Sequence, residues 1–365
     1  MKRTNIFGLY IIVNVLVVAS AGVAASTVTV TDMAKRQVTV PFDPERIICL
    51  SPGALRLIVY LQAESKVVGV EDMEKMNPGY RPYWIAHPEL WELPSCGPGG
   101  PVGINKKPDL EAVLSVKPEV IFITYMDASL ADEVQRTLKI PVVVLSYGDF
   151  GTFDDTVYDA MRIVGKVLNR EKRAEEVVAY IESLRMDMRM RTKDISEESK
   201  PIVYVGGIGY RGTQGIESSE QQYIPFEWIG ANNVAKKVKA TSDGHVVIDK
   251  ETLLKLNPDV IFIDGGGIAH VKEDYRKKPE IFAVLKAFAN RRVHTLYPFN
   301  WYMTNIDTTL ADAYAIGKIL YEKQFDDIDP QQKADEIYTF LVGKPVYENM
   351  RKDYGHIGQV ADFLN

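Results

Sequence analysis

Residues 108–124 read PDLEAVLSVKPEVIFIT, and residues 248–264 read IDKETLLKLNPDVIFID. The two segments align at a constant offset of 140, pairing Asp109 with Asp249, Glu111 with Glu251, Leu114 with Leu254 and Pro118 with Pro258. Val120-Ile121-Phe122-Ile123 falls on Val260-Ile261-Phe262-Ile263. Each copy predicts a short helix, a proline-containing turn that stops it, and a continuous apolar strand of the kind buried in a parallel sheet.

A looser echo follows each copy. Val142 to Leu145 and Val293 to Leu296 read as further strands. Each leads through an aromatic-rich loop into a helix, containing Ile163 to Leu168 in one half and Ala315 to Leu320 in the other, at an offset that has drifted to 152. Earlier strands are expected at Ile47–Leu50, Val67–Val70 and Ile202–Val205. Strands alternating with helices in both halves predict an α/β protein of two similar lobes, each a parallel sheet sandwiched by helices.

Between the halves, Arg170 to Ile195 contains neither glycine nor proline. Ala174, Val177, Val178, Ile181, Leu184 and Met188 fall on one helical face. About 26 residues at about 1.5 Å each make a rod of about 39 Å, long enough to brace both lobes. The expected organisation is a leader at 1–25, an N-terminal lobe at 26–169, a bridging helix at 170–197 and a C-terminal lobe at 198–365.

Composition agrees with two folded domains. The chain has 365 residues, 46% hydrophobic and 25% charged, which excludes disorder and collagen. Only the extreme N-terminus holds an apolar run of bilayer length. Lys2 and Arg3, an apolar stretch from Ile6 to Val18 and small residues from Ala19 to Ser26 follow the order of a secretory signal, with cleavage after Ala24 or Ala25. An uncleaved membrane anchor is the alternative. The net charge of −6 becomes about −8 on loss of residues 1–25, which argues against nucleic acid as a partner. In an exported protein Cys49 and Cys96 either pair or stay as buried thiols, and Cys49 lies in an apolar strand.

In open α/β sheets, ligands bind beyond the carboxyl ends of the strands. The loops expected there are rich in aromatic side chains and glycine, with two arginines. The N-terminal half offers Tyr80, Arg81, Tyr125 and Tyr147; the C-terminal half offers Tyr210, Arg211, Asn300, Trp301 and Tyr302. Aromatics supply flat contact area with a polar tip, and arginine supplies a bidentate fork for anionic groups. The set suits a bulky, partly aromatic, anionic ligand. Residues 206–212, GGIGYRG, lack the GxGxxG spacing of a dinucleotide loop. No GxSxG, HExxH, Walker loop or zinc-spaced Cys/His cluster occurs, so no catalytic set is expected. His294 reads as structural, while His245 and His270 read as loop residues, solvated in the first reading and lining the cleft in the second.

An export signal, duplicated α/β lobes, a long linking helix and the helix-Pro-strand unit twice resemble the periplasmic substrate-binding proteins of ABC importers, the rigid-helix class that serves iron–siderophore, haem, cobalamin and some oxyanions. RIICLSPGA at 46–54, both repeat segments, and Ile229-Gly230-Ala231-Asn232-Asn233-Val234-Ala235 carry the resemblance over nearly the whole mature chain. No cysteine stands near the cleavage site, so the lipid-anchored form of the family is not expected. The resemblance implies capture without chemistry by an extracytoplasmic monomer with no cofactor of its own. The cargo it implies is a small metal complex or oxyanion: an iron–siderophore-like chelate first, then haem, corrinoid, and molybdate or tungstate. It also implies an ABC permease with its ATPase as partner, docking on Glu111 and Glu251. An enzyme built on two α/β lobes with a nucleotide or sugar at their interface, and a membrane-anchored sensor or adhesion module, are the rival readings. Closure about a stiff helix is expected to be only a few degrees.

Overall fold

Asp109 and Asp249 each accept a hydrogen bond from the backbone N–H three residues on, Ala112 at 3.0 Å and Thr252 at 2.7 Å. Equivalent aspartates therefore cap the two repeat helices. The helices also stop in the same way. Lys117 and Asn257, equivalent in the repeat, take φ values of 47° and 41°, the left-handed conformation that closes a helix.

The computed structural model describes residues 26–148, 153–209, 212, 214–240 and 244–364. The expected leader at 1–25 lies outside them. In the N-terminal lobe, β1 (Thr27–Thr31) and β2 (Gln37–Pro41) form a hairpin. Next come β3 (Ile47–Leu50), α1 (Ala54–Tyr60), α2 (Pro82–Ala86), α3 (Leu110–Ser115), β4 (Val120–Thr124), α4 (Ala128–Leu138), β5 (Val142–Leu145) and α5 (Thr156–Val167). The link is α6 (Glu171–Thr192). The C-terminal lobe comprises β6 (Ile202–Gly206), β7 (Ser218–Glu220), α7 (Ile224–Trp228), β8 (Asn232–Asn233), β9 (His245–Val247), α8 (Lys250–Leu256) and β10 (Val260–Ile263). It continues with α9 (Ile268–Lys277), α10 (Pro279–Ala283), α11 (Lys286–Ala289), β11 (Val293–Thr295), α12 (Ile306–Leu320), α13 (Pro330–Val342) and α14 (Tyr347–Tyr354).

The lobes share a topology. One sheet has the order β3-β4-β5 and the other β11-β10-β6-β8, all pairs parallel. The repeat strands β4 and β10 are each flanked by the equivalent neighbours, β3 and β5 or β6 and β11. Both are buried throughout and apolar but for Thr124 at the end of β4, as strands covered on both faces must be.

Long helices join the lobes. Ala174, Val177, Val178, Ile181, Leu184 and Met188, the expected face of α6, are all buried. That face packs on α5 of the first lobe and on α7 and α12 of the second. One hydrophobic core runs from Ile47 and Phe122 through Ile181 to Phe262 and Tyr338 without a break. Helix α13 packs along α12 and touches α1 and α2 across the lobe boundary. The helix α6 has 22 residues, about 33 Å at the standard rise, somewhat shorter than expected.

Two further expectations change, and the open reading of the cysteines is decided. Val67–Val70 makes two isolated bridges, to Ile47 and Ser95, in place of a strand. Gly69 interrupts the valines, and a Cβ there would lie 3.2 Å from Val116, so a glycine stands where an uninterrupted strand would carry a side chain. His245 is buried, with Nε2 2.9 Å from Ser218 Oγ. Cys49 and Cys96 are free buried thiols packed in different core layers, either side of the N-terminal sheet. No helix among the described residues is long and apolar enough to cross a membrane.

Candidate functional site

The chain turns sharply off the N-terminal sheet. Ser51 after β3 and Tyr125 after β4 hold φ values of 68° and 58°, costly for residues with a side chain and typical of sites that re-aim one. Two residues beyond Ala54, on the first turn of α1, the Arg56 guanidinium is completely buried. Its Nε donates to Asn305 Oδ1 at 3.0 Å, Nη1 to the Thr304 carbonyl at 3.0 Å, and Nη2 to the carbonyls of Trp301 and Tyr302 at 3.2 and 3.3 Å. Its flat face lies over the rings of Tyr83 and Tyr147. A planar five-donor fork can satisfy a bent loop in this way where lysine cannot. One turn on, Tyr60 donates to Asp307 Oδ2 at 3.0 Å. The first helix of one lobe thus holds the loop after β11 of the other.

That loop carries Tyr302 and Met303, with consecutive φ values of 52° and 72°. The turn delivers the Tyr302 hydroxyl to the N-terminal lobe. It donates to Glu71 Oε2 at 2.6 Å and accepts from the Gly100 N–H at 3.0 Å. The Ser51 N–H also donates to Glu71 Oε2, at 2.9 Å. Burial pushes the Glu71 carboxyl up to about 7, against the opposing pull of its Tyr302 and Ser51 hydrogen bonds. A cavity of about 70 Å³ adjoins it, lined by Ser51, Glu71, Cys96, Gly97, Gly99 and Lys106 among others.

The C-terminal lobe contributes buried acids. Asp264, directly after β10, accepts from the Gly266 N–H at 2.9 Å and is pushed up to about 7 by burial. Glu220, ending β7, is pushed up to about 8 by burial and then by the charge of Asp264. Asp312 is also raised by burial, and among the described residues neither its Oδ2 nor the Tyr223 hydroxyl has a hydrogen-bond partner. Above Asp264, Tyr80 packs on Trp301 with ring centroids 5.5 Å apart and edge-on to Tyr354 at 5.8 Å. A wider depression of about 610 Å³ lies elsewhere, between α6 and α13, lined by Arg173, Tyr180, Glu336 and Phe340 and remote from the strand ends.

The sequence-selected residues separate into groups. Tyr80, Trp301 and Tyr302 meet at the lobe junction. Tyr125 points to the same place, its hydroxyl 3.1 Å from the Gly148 carbonyl and 3.6 Å from Met303 Sδ. Tyr147 is buried beneath Arg56, and Asn300 is exposed at the start of the loop. Arg81 is a correction. It is wholly buried, with Nη1 on Glu74 Oε2 at 2.6 Å and Nη2 on the carbonyls of Glu74 and Met76, while Nε has no hydrogen-bond partner among the described residues, so its guanidinium fork is spent on the fold. Tyr210 and Arg211 lie outside the described residues. Glu111 and Glu251 sit exposed at the second positions of α3 and α8, and Glu251 pairs with Lys255 at 2.8 Å. Sequence reasoning missed Arg56, Glu71, Asp264 and Glu220. For Arg56 the signal was there, a lone charge inside the apolar helix ALRLIVY.

Two like-built lobes, strand ends facing one another, and a brace of long helices define a solute-binding protein rather than an enzyme. The family model described as periplasmic binding protein matches residues 47–298, and the chain belongs to that family. It is accordingly a non-catalytic, extracytoplasmic component of an ABC importer, with a permease and ATPase as partner. The chain is 25% identical over 328 residues to the molybdate-binding protein MolA of Haemophilus influenzae, covering 85% of this chain and 89% of MolA. It is 25% identical over 225 residues to the Fe(3+)-citrate-binding protein YfmC of Bacillus subtilis, covering 61% of this chain and 67% of YfmC. In fold it resembles a periplasmic solute binding protein from Veillonella parvula, with a TM-score of 0.71 and 18% identity over 90% of this chain and 97% of that one. Molybdate-bound MolA superimposes with a TM-score of 0.67 and 22% identity over 87% and 98%.

Proposed function

We propose that this chain captures a small organic iron chelate between its lobes and hands it to the permease. The observation that carries the reading is the makeup of the junction. The aromatic group of Tyr80, Trp301 and Tyr354 offers flat area with polar tips, which suits an organic chelator. The two N-lobe arginines closest to it, Arg56 and Arg81, are committed to protein oxygens and leave no fork for a bare oxyanion. Glu71 and Asp264, pushed up to about 7, supply oxygens that are partly protonated at neutral pH. Among the described residues no group of three or more His, Cys, Asp and Glu is placed to hold a bare metal ion, so the metal arrives within its chelator.

Tyr80, Tyr125, Tyr147, Tyr302 and Trp301 are the proposed contacts, with Asn300 at the rim and Tyr210 and Arg211 completing the set from the glycine-rich loop. Glu111 and Glu251 are the proposed docking points for the permease, and the lobe boundaries at 169/170 and 197/198 are part of the same proposal. Molybdate is the second reading, favoured by the MolA relative. Titration calorimetry with ferric citrate and with sodium molybdate separates the two. Tighter binding of ferric citrate is expected. Saturable molybdate binding with no ferric citrate binding overturns the iron reading.

A further inference from the structure

The Tyr302 hydroxyl does not sit among its own lobe's groups. It crosses to the N-terminal lobe, where the Gly100 N–H donates to it at 3.0 Å and it donates to Glu71 at 2.6 Å. The receiving groups are fixed independently of it. Glu71 Oε2 is held by the Ser51 N–H at 2.9 Å, and Ser51 is itself held in a left-handed turn at the end of β3. Gly97, Gly99 and Gly100 all have positive φ, and a Cβ on Gly99 would lie 2.8 Å from Glu71 and 2.9 Å from the Tyr302 hydroxyl. Glycine is required there so that backbone, carboxyl and incoming oxygen can crowd together. The giver is held at a cost: Tyr302 and Met303 are consecutive left-handed residues, clamped by Arg56 through the carbonyls of Trp301, Tyr302 and Thr304.

We infer that the Gly100 N–H and the Glu71 carboxyl form a one-oxygen cradle for a hydroxyl of the cargo, and that Tyr302 fills it as a stand-in when no cargo is present. The inference deepens the proposed function and rests on it for the cargo. The cradle presents one donor and one acceptor to a single atom. A hydroxyl matches both at once. While Glu71 is ionised, a fully ionised oxyanion accepts from Gly100 but has no proton for Glu71, so in that form the cradle selects hydroxyl-bearing chelators, hydroxycarboxylates among them, over oxyanions. Cargo entry exchanges one hydrogen-bonded oxygen for another, leaving neither Gly100 nor Glu71 unpaired, and an unpaired group would cost more than the bond is worth. A cavity of about 70 Å³ adjoins Glu71 and Gly99 on the N-lobe side of the cradle.

Amide hydrogen exchange at Gly100 tests this on the full chain. In Tyr302→Phe, which keeps the ring and its packing, Gly100 is expected to exchange about tenfold faster than in the unmodified protein. An unchanged rate overturns the stand-in. In Tyr302→Ala, which opens the cradle, millimolar glycolate is expected to slow Gly100 exchange again, while acetate, lacking the hydroxyl, leaves it fast. Equal protection by both, or by neither, overturns the hydroxyl selectivity. Should Tyr302→Ala not fold, a ferric citrate titration of Tyr302→Phe replaces it: tighter binding than the unmodified chain supports displacement, and weaker or equal binding overturns it. Failure of the unmodified chain to bind ferric citrate removes the iron reading and leaves the Gly100 exchange result standing.

Discussion

Arg56 and Arg81 are both completely buried cations, and the terminal nitrogens of each are matched to protein oxygens. Removing such a charge strands its partners. Arg81→Ala leaves the Glu74 carboxylate buried with, among the described residues, the Tyr83 hydroxyl at 2.7 Å as its remaining side-chain donor. A stability loss of about 3–5 kcal/mol by denaturant titration is expected. Ferric citrate affinity, measured where the variant is folded, is expected to stay within about twofold, because the guanidinium faces no cleft; a tenfold loss would return Arg81 to the site. Arg56→Ala is expected to cost a similar about 3–5 kcal/mol and to weaken binding as well, since the loop bearing Trp301 and Tyr302 loses its clamp. The contrast shows what one sequence can convey about single residues. An arginine in a strand-end loop looks like a ligand contact, and only packing reveals that Glu74, seven positions away, has claimed it. Conversely, the carboxyls of Glu71 and Asp264 mark only the edges of loops in the sequence. Their importance comes from burial, which no local pattern encodes.

At the scale of elements, legibility follows periodicity. The helix-Pro-strand units, the strands expected at 47–50, 142–145 and 202–205, and the buried face of α6 all follow helical or strand patterns, and they form where expected, the third strand running one residue further to Gly206. The antiparallel pair β7 and β9 was hidden because each strand has three residues and the partners are distant in sequence. The β1–β2 hairpin did alternate, Thr with Val, but lay beside the leader and drew no notice. Helix α6 allows a direct test of its role as a brace. Ile181 is fully buried between the lobes, while Met186, five residues on, is more than half exposed. Ile181→Ala is expected to lower stability by about 2–5 kcal/mol, and Met186→Ala to change it by no more than about 0.5 kcal/mol. Thermal melts of the two variants check this. Equal effects would mean that α6 is a surface helix of one lobe and not a shared spine.

For the whole molecule, the buried acids set a pH dependence of unusual sign. Glu71 and Asp264 titrate at about 7 and Glu220 at about 8 in the folded chain, against ordinary values of 4.5, 3.8 and 4.5. Between about pH 4 and pH 8 the folded state therefore holds protons that the unfolded state has released. Stability changes with pH in proportion to protons bound unfolded minus protons bound folded, a negative number here, so stability falls as pH rises through this window. Below it the opposite group takes over. Asp327, held beside Arg191, and Asp249, capping α8, titrate below their ordinary range, and the stability they contribute disappears as acid protonates them. The melting temperature is thus expected to rise as pH is lowered from about 8 to about 5 and to fall again below about 4. Glu71→Gln, which fixes the neutral form, is expected to flatten the upper slope. A melting temperature that climbs with pH from 5 to 8 would place positive charge beside these carboxyls. The same protons bear on transport. At lower pH the neutral Glu71 and Asp264 cease to repel an anionic chelate, so ferric citrate binding is expected to tighten over the pH range in which the empty protein becomes more stable. Binding that weakens on acidification would remove these two acids from the lining of the junction.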